Sequence, residues 1–146
     1  MKVIKIDTEE ALRKALDVRF EVFVDEQGVP REEEMDQYDA SPASARHLLL
    51  EIDGEPAAAG RFIAYKPDTA KMQRIAVRRT YRGRGVGREL MLALESWAKE
   101  EGFTNSLLDA QCQAEPFYRS LGYAAVSPET FLDAGIPHVR MTKPLI

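Results

Sequence analysis

Cysteine is nearly absent: Cys112 stands alone among 146 residues, which excludes an internal disulfide and a cysteine-based metal cluster. Histidine is almost as scarce, and His47 and His138 supply too few ligands for a metal site, so no metal is expected. Long apolar runs are missing as well. No stretch approaches the roughly 20 residues that span a bilayer, and Met1-Lys2-Val3-Ile4-Lys5 lacks the apolar core and cleavage site of a secretion signal. A cytoplasmic protein without a membrane partner is expected. Nor is there a basic excess: 20 lysines and arginines against 24 acids leave a formal charge of -4, which argues against nucleic acid as a partner.

What is present is enough apolar material for one core. At 45% hydrophobic, 146 residues suit a single domain spanning 1–146 and are too few for two ordinary ones. The densest information lies between residues 72 and 100. Met72-Gln73-Arg74-Ile75-Ala76-Val77 alternates in the manner of a strand. After Arg82-Gly83-Arg84-Gly85-Val86-Gly87, the residues Val86, Leu90, Ala93, Leu94 and Trp97 recur at helical spacing until Gly102. The glycines therefore sit at a helix N-terminus, where backbone N–H groups lack internal partners and the helix dipole is positive. Glycine lets the backbone approach an anion closely, and Arg82, Arg84 and Arg88 add positive charge, so a pyrophosphate is the simplest guest.

Two common pyrophosphate loops are excluded. A nucleoside-triphosphate loop needs Lys and then Ser or Thr after its last glycine, whereas Gly87 precedes Arg88-Glu89. A dinucleotide fingerprint follows the first strand of a parallel unit, and this run lies in mid-chain after apparent hairpins. The remaining pattern is Arg/Gln-x-x-Gly-x-Gly/Ala, met by Arg82, Gly85 and Gly87, and on it the chain resembles the GNAT superfamily of acyl-coenzyme A-dependent N-acyltransferases.

The resemblance implies acetyl-coenzyme A as cosubstrate. Its pyrophosphate would lie on Arg82, Gly83, Arg84, Gly85, Val86, Gly87 and Arg88, and its pantetheine amides against the backbone of Ile75, Ala76 and Val77, which also offers an N–H to the reaction's oxyanion. Phe117-Tyr118-x-x-Leu121-Gly122-Tyr123 is similar to the family's late helix and following strand. This places Phe117 and Tyr118 beside the cofactor and makes Tyr118 the acid that protonates the departing thiolate. Read without the family, Tyr118 is a core or interface tyrosine whose ring packs and whose hydroxyl finds any acceptor.

The rest of the chain reads in order. Asp7 and Glu10 form a capping pair for a helix lined by Leu12, Ala15, Leu16, Phe20 and Phe23 and ended by Gln27-Gly28-Val29-Pro30. Between Asp25 and Asp39 stand seven acids against Arg31 alone, either a solvated loop or a field that attracts a cationic amine. Arg19, Val22-Phe23-Val24, Glu26-Gln27 and this acidic run resemble the ElaA-like branch of the family. His47–Ile52 and Ala57–Tyr65 are strands joined by an Asp53-Gly54 hairpin turn. Pro67-Asp68 leads into the strand at residue 72, and the helix crosses over to a parallel strand at 106–110. Ala114–Leu121 is a short helix, and Ile136-Pro137-His138-Val139-Arg140-Met141 a final strand with an ending similar to the branch's. Cys112 reads as a packed residue rather than a nucleophile.

The expected fold is a single-domain α/β structure with a mixed, mainly antiparallel sheet of six to seven strands flanked by helices. The expected reaction moves an acetyl group to an amine of a small molecule or peptide by direct attack, with no acyl-enzyme. Glu26, Glu34, Glu115 and His138 are candidates for the base. An inactive acyl-coenzyme A sensor is the alternative, and the oligomeric state, a homodimer included, stays open.

Overall fold

Alternation in the first half of the chain builds a meander. In the computed structural model, which describes residues 1–146, β1 (Lys2–Lys5), β2 (Arg46–Ile52), β3 (Glu55–Lys66) and β4 (Thr69–Val77) pair antiparallel in succession. Asp53 and Gly54 both take positive φ, 53° and 79°, as a tight hairpin turn between right-twisted strands requires. Helix α3 (Val86–Glu100) then crosses over to β5 (Asn105–Gln111), parallel to β4. Strand β8 (Ile136–Pro144) returns antiparallel to β5, and the short β6 (Ala124–Ala125) and β7 (Phe131–Asp133) both pair with β8. The order β1-β2-β3-β4-β5-β8-β6, with β7 also on β8, gives eight strands rather than six or seven. The additions, β6 and β7, are two and three residues long, too short to show a period.

The sheet is covered on both faces. On one, Leu48, Leu50, Phe62, Met72, Leu108, Val139 and Met141 pack against Val86, Leu90, Met91, Leu94 and Ala98 of α3, and Phe62 meets Trp97 edge to face at 5.5 Å. On the other, Leu49, Ala59 and Ala76 receive Leu12, Ala15 and Val18 of α1 (Glu9–Arg19). The split of Leu49 from Leu48 and Leu50 is the period-2 alternation of a strand buried on both sides.

Helix α1 departs from expectation at both ends. Its cap is Thr8, whose Oγ1 accepts from the Ala11 N–H at 3.1 Å, rather than the Asp7 and Glu10 pair. The α-helical winding stops at Arg19, and Phe20–Glu26 continues as a wider π-helical turn. The extra residue per turn re-aims the side chains: Val18 and Val22 are buried, while Phe20 and Phe23 are only half-buried.

That change of pitch leaves Arg19 pointing inward, 2% exposed, and the acidic segment folds back onto it. Arg19 donates to Glu34 at 2.8 Å, in the one-turn helix α2 (Arg31–Glu34), and to Asp39 at 2.7 Å. Arg61 donates to Asp39 at 2.7 Å and to both oxygens of Asp36 at 2.8 and 2.7 Å. Burial opposes the charge on Asp39, but Arg19 and Arg61 outweigh it and hold its carboxyl well below the usual range. Neither a uniformly solvated loop nor a uniform external field describes this segment, since Glu34, Asp36 and Asp39 serve as internal counterions.

Candidate active site

Strands β4 and β5 pair only from Thr69↔Asn105 to Met72↔Leu108 and then part. The divergence has a local cause on the other side of β4. Ala59 pairs with Ala76 but Arg61 with Gln73, so Arg74 and Ile75 together oppose Gly60 and β4 bulges. Arg74 takes φ 58°, a conformation costing an L-residue about 1–2 kcal/mol, and Glu34 holds it there through its carbonyl at 3.2 Å and its carboxylate at 3.4 Å. The gap is a cleft of about 570 Å³ walled by Ile75, Val77, Leu108, Ala110, Tyr118 and His138, among others.

Beyond the bulge, β4 presents to this cleft an edge that no strand pairs with. The Arg78 N–H donates to the Ala57 carbonyl on β3 at 2.9 Å, so alternation turns the Ala76 backbone toward β3 as well and leaves Ile75 and Val77 facing the gap. Ile75 and Val77 line the cleft and Ala76 does not. The backbone role expected of three residues thus narrows to two, because Ala76 spends its backbone on β3 and its side chain, 1% exposed, on α1.

The glycine-arginine loop leads into α3, and of its residues 82–88 only Arg82 lines the cleft. Gly85, at φ 76°, is the residue before the first turn, and the N–H groups of Gly83 through Arg88 donate to nothing in the chain. A side chain added at Gly85 would project into open space, so it is the left-handed φ rather than crowding that favours glycine here. Gly87 has a different duty: a Cβ there would stand 3.2 Å from Phe117, so this glycine lets α3 pack on the aromatic residue of α4 (Glu115–Ser120). Arg82 is turned away from the glycines, donating to the Val77 carbonyl at 2.9 Å and pairing with Glu26 at 2.9 Å. Arg84 lies over the Tyr81 ring at 5.8 Å.

Tyr118 is 8% exposed, and its ring packs edge to face on Phe117 and Tyr123 at 5.0 and 6.0 Å. Its hydroxyl has no hydrogen-bond partner in the chain and retains access to the cleft. Burial pushes the phenol up to about 12. Tyr123 shows the opposite disposition: its hydroxyl lies 2.6 Å from Ser106 Oγ and donates to Glu95 at 2.9 Å, a core tyrosine with its partners found.

The candidate bases separate clearly. Glu26 is absent from the cleft wall, tied to Arg82 and Arg79, and Glu115 is also absent, held by Arg119 at 2.9 Å. Glu34 reaches the cleft but is gripped by Arg19 and Arg74; burial lifts its carboxyl, and the two arginines draw it only partly back. His138 lines the cleft at 8% exposure, with its ring stacked on Phe131 at 5.9 Å. Sequence reasoning missed Asp109, which accepts from Arg140 at 2.9 Å and stands 3.4 Å from Lys71, and Gln111, whose amide bridges the cleft mouth to Gln27 at 2.7 Å. Nothing in the sequence joins positions 27 and 111.

A β4 edge unpaired by any strand and the partner-free hydroxyl of Tyr118 meet in one cleft, with Arg82, which leads into α3, on its wall. The chain matches the Acetyltransferase (GNAT) family over residues 10–123 and belongs to that family. It is 44% identical over 144 residues to the uncharacterized N-acetyltransferase YjcF of Bacillus subtilis (strain 168), covering 98% of this chain and 99% of the relative. Among solved structures it is similar to an acyl-CoA N-acyltransferase from Pseudomonas aeruginosa, with a TM-score of 0.83 and 28% identity over 97% of each chain. Escherichia coli ElaA is similar at a TM-score of 0.82 and 26% identity, again over 97% of each chain. No helix is long and apolar enough to cross a membrane.

Proposed function

We propose that this protein transfers an acetyl group from acetyl-coenzyme A to an amine of a small molecule or peptide by direct attack. The observation that carries the reading is the hydroxyl of the buried Tyr118, unpartnered in the chain and open to a cleft that Arg82 of the glycine-arginine loop also lines. The N–H groups of Gly83 through Arg88 receive the pyrophosphate, and the Ile75 and Val77 backbone receives the pantetheine amides as an added strand would. The Ile75 N–H, beside the bulge at Arg74, meets the negative charge that develops on the carbonyl oxygen. Attack of a neutral amine breaks the C–S bond, and Tyr118 gives its proton to the departing sulfur.

Support also comes from the relatives, one named an N-acetyltransferase and one an acyl-CoA N-acyltransferase. The test is thiol release from acetyl-coenzyme A across a panel of amines, with mass spectrometry of both product and protein. Acetylated amine equal to thiol released, with no acetyl group retained on the protein, is the expected result. Tight coenzyme A binding with no amine acetylated would overturn turnover and favour a sensor.

A further inference from the structure

The cleft lies where β4 and β5 part, and the side chains that line it come from both faces of the sheet. Val139 and Met141 of β8 belong to the core under α3, so alternation places His138 and Arg140 on the opposite face. Leu108 and Ala110 of β5 likewise lie under α3, and Asp109, paired with Arg140, lies opposite. Tyr118 packs within the α3-side core. The cleft's phenol and its imidazole therefore reach it from opposite faces of the sheet. A thioester carbonyl held between them would expose its sulfur to one and the incoming amine to the other.

The chemistry of His138 suits that second position. Its Nδ1 lies 2.6 Å from the carbonyl oxygen of Ile136, and a carbonyl can only accept, so Nδ1 carries the proton. In the neutral ring Nε2 then holds a lone pair. It has no partner in the chain and keeps access to the cleft, although the residue is 8% exposed. The other groups facing the cleft from neighbouring elements are committed elsewhere or unshielded. On β5, Asp109 is held by Arg140 and Lys71; on β4 and α2, Arg74 and Glu34 hold each other; Asp133 on β7 and Glu33 on α2 are exposed.

We propose that His138 is the catalytic base: its Nε2 takes one proton from the acceptor's ammonium group before attack. Resting on the acetyl-transfer reading above, the proton balance closes with Tyr118. Nε2 gains the proton, the freed nitrogen lone pair forms the C–N bond, the C–S bond breaks, and sulfur takes the phenolic proton. The proton remaining on the new amide nitrogen cation leaves to solvent, and proton exchange restores the tyrosine and histidine.

Two measurements test this. Because the chain has two histidines, side-chain ¹⁵N–¹H spectra resolve both tautomers. His138 is expected as the Nδ1–H form, and His47, whose Nε2 donates to the Tyr38 carbonyl at 2.8 Å, as the Nε2–H form. A neutral His138 protonated at Nε2 would overturn the assignment whatever the acceptor. In His138→Gln, transfer to n-butylamine, protonated at neutral pH, should fall by roughly 10²-fold or more, while transfer to acetohydrazide, already neutral, falls far less. Equal losses for both, or none, would also overturn it. Calorimetric coenzyme A affinity in the variant separates the outcomes: retained affinity leaves the parent reading standing, and absent affinity in variant and parent alike removes that reading instead.

Discussion

Arg74 Nε donates to the Glu34 carbonyl at 3.2 Å and stands 3.4 Å from its carboxylate, so the one β4 residue at positive φ is fixed by the acidic segment. Neighbouring glutamates in that segment should therefore respond very differently to substitution. Glu34→Gln strips a 3%-exposed counterion from Arg19 and Arg74 and should cost about 3–5 kcal/mol in urea unfolding. Glu33→Lys, at an exposed position on the cleft wall without an ion-pair partner, should leave unfolding unchanged and raise KM for a cationic acceptor. A KM that is unchanged in Glu33→Lys at low salt removes any part for that charge.

Tyr118→Phe removes a proton donor that bonds to nothing in the chain. A fall in kcat of roughly 10²- to 10⁴-fold is expected, with Tm and coenzyme A affinity held. Tyr123→Phe is the control, since it orphans the Ser106 hydroxyl and leaves Glu95 with Lys143 alone, and it should lower stability by about 1–3 kcal/mol. Parental turnover by Tyr118→Phe across the pH range would make water the donor.

Gly85→Val should abolish coenzyme A binding. The added side chain would fill the open space before α3, and at φ 76° its strain adds about 1–2 kcal/mol against folding. Calorimetry on the folded variant decides, and unchanged affinity would detach the loop from the cofactor.

Stability should fall in two steps as the solution is acidified. Burial depresses the pKa of His47, with Arg19 and Arg61 adding to that and the Tyr38 carbonyl and Asp39 opposing it. A depressed folded-state pKa means that the unfolded chain binds the proton more readily. The contribution of His47 is thus complete above the unfolded value of about 6.5 and is lost as pH drops below it. Asp39 is depressed too, so its contribution persists above about 3.9 and is lost only at lower pH. In a Tm-against-pH series, His47→Gln, which can still donate to Tyr38, should flatten the upper step alone.

The meander, the crossover and the glycine turn before α3 were legible because each rests on local signals: alternation, Asp53-Gly54, and glycines before a 3.6-residue period. The short helix that carries Tyr118 was legible between Ala114 and Leu121, but the free hydroxyl of that tyrosine was not. Arg19 gave no warning that the helix would change pitch beside it, and its partner Asp39 is 20 positions away. Charge counting saw seven acids in a loop, whereas Arg61 and Arg74, far along the chain, decide which of them face inward. The bulge at Arg74 was equally invisible, since arginine carries no preference for positive φ and only Glu34 and Gly60 make it tenable there.

The parallel seam of β4 and β5 is four residue pairs long, and it is the crease along which the sheet divides. Strands β1 to β4 form one raft and β5 to β8 another, stitched across by the α3-side core. An acyl-coenzyme A lying against Ile75 and Val77 supplies the missing length of that seam from outside the polypeptide. Under the proposed function the sheet is completed by the molecule it consumes, and resistance to heat should rise with the concentration of that substrate.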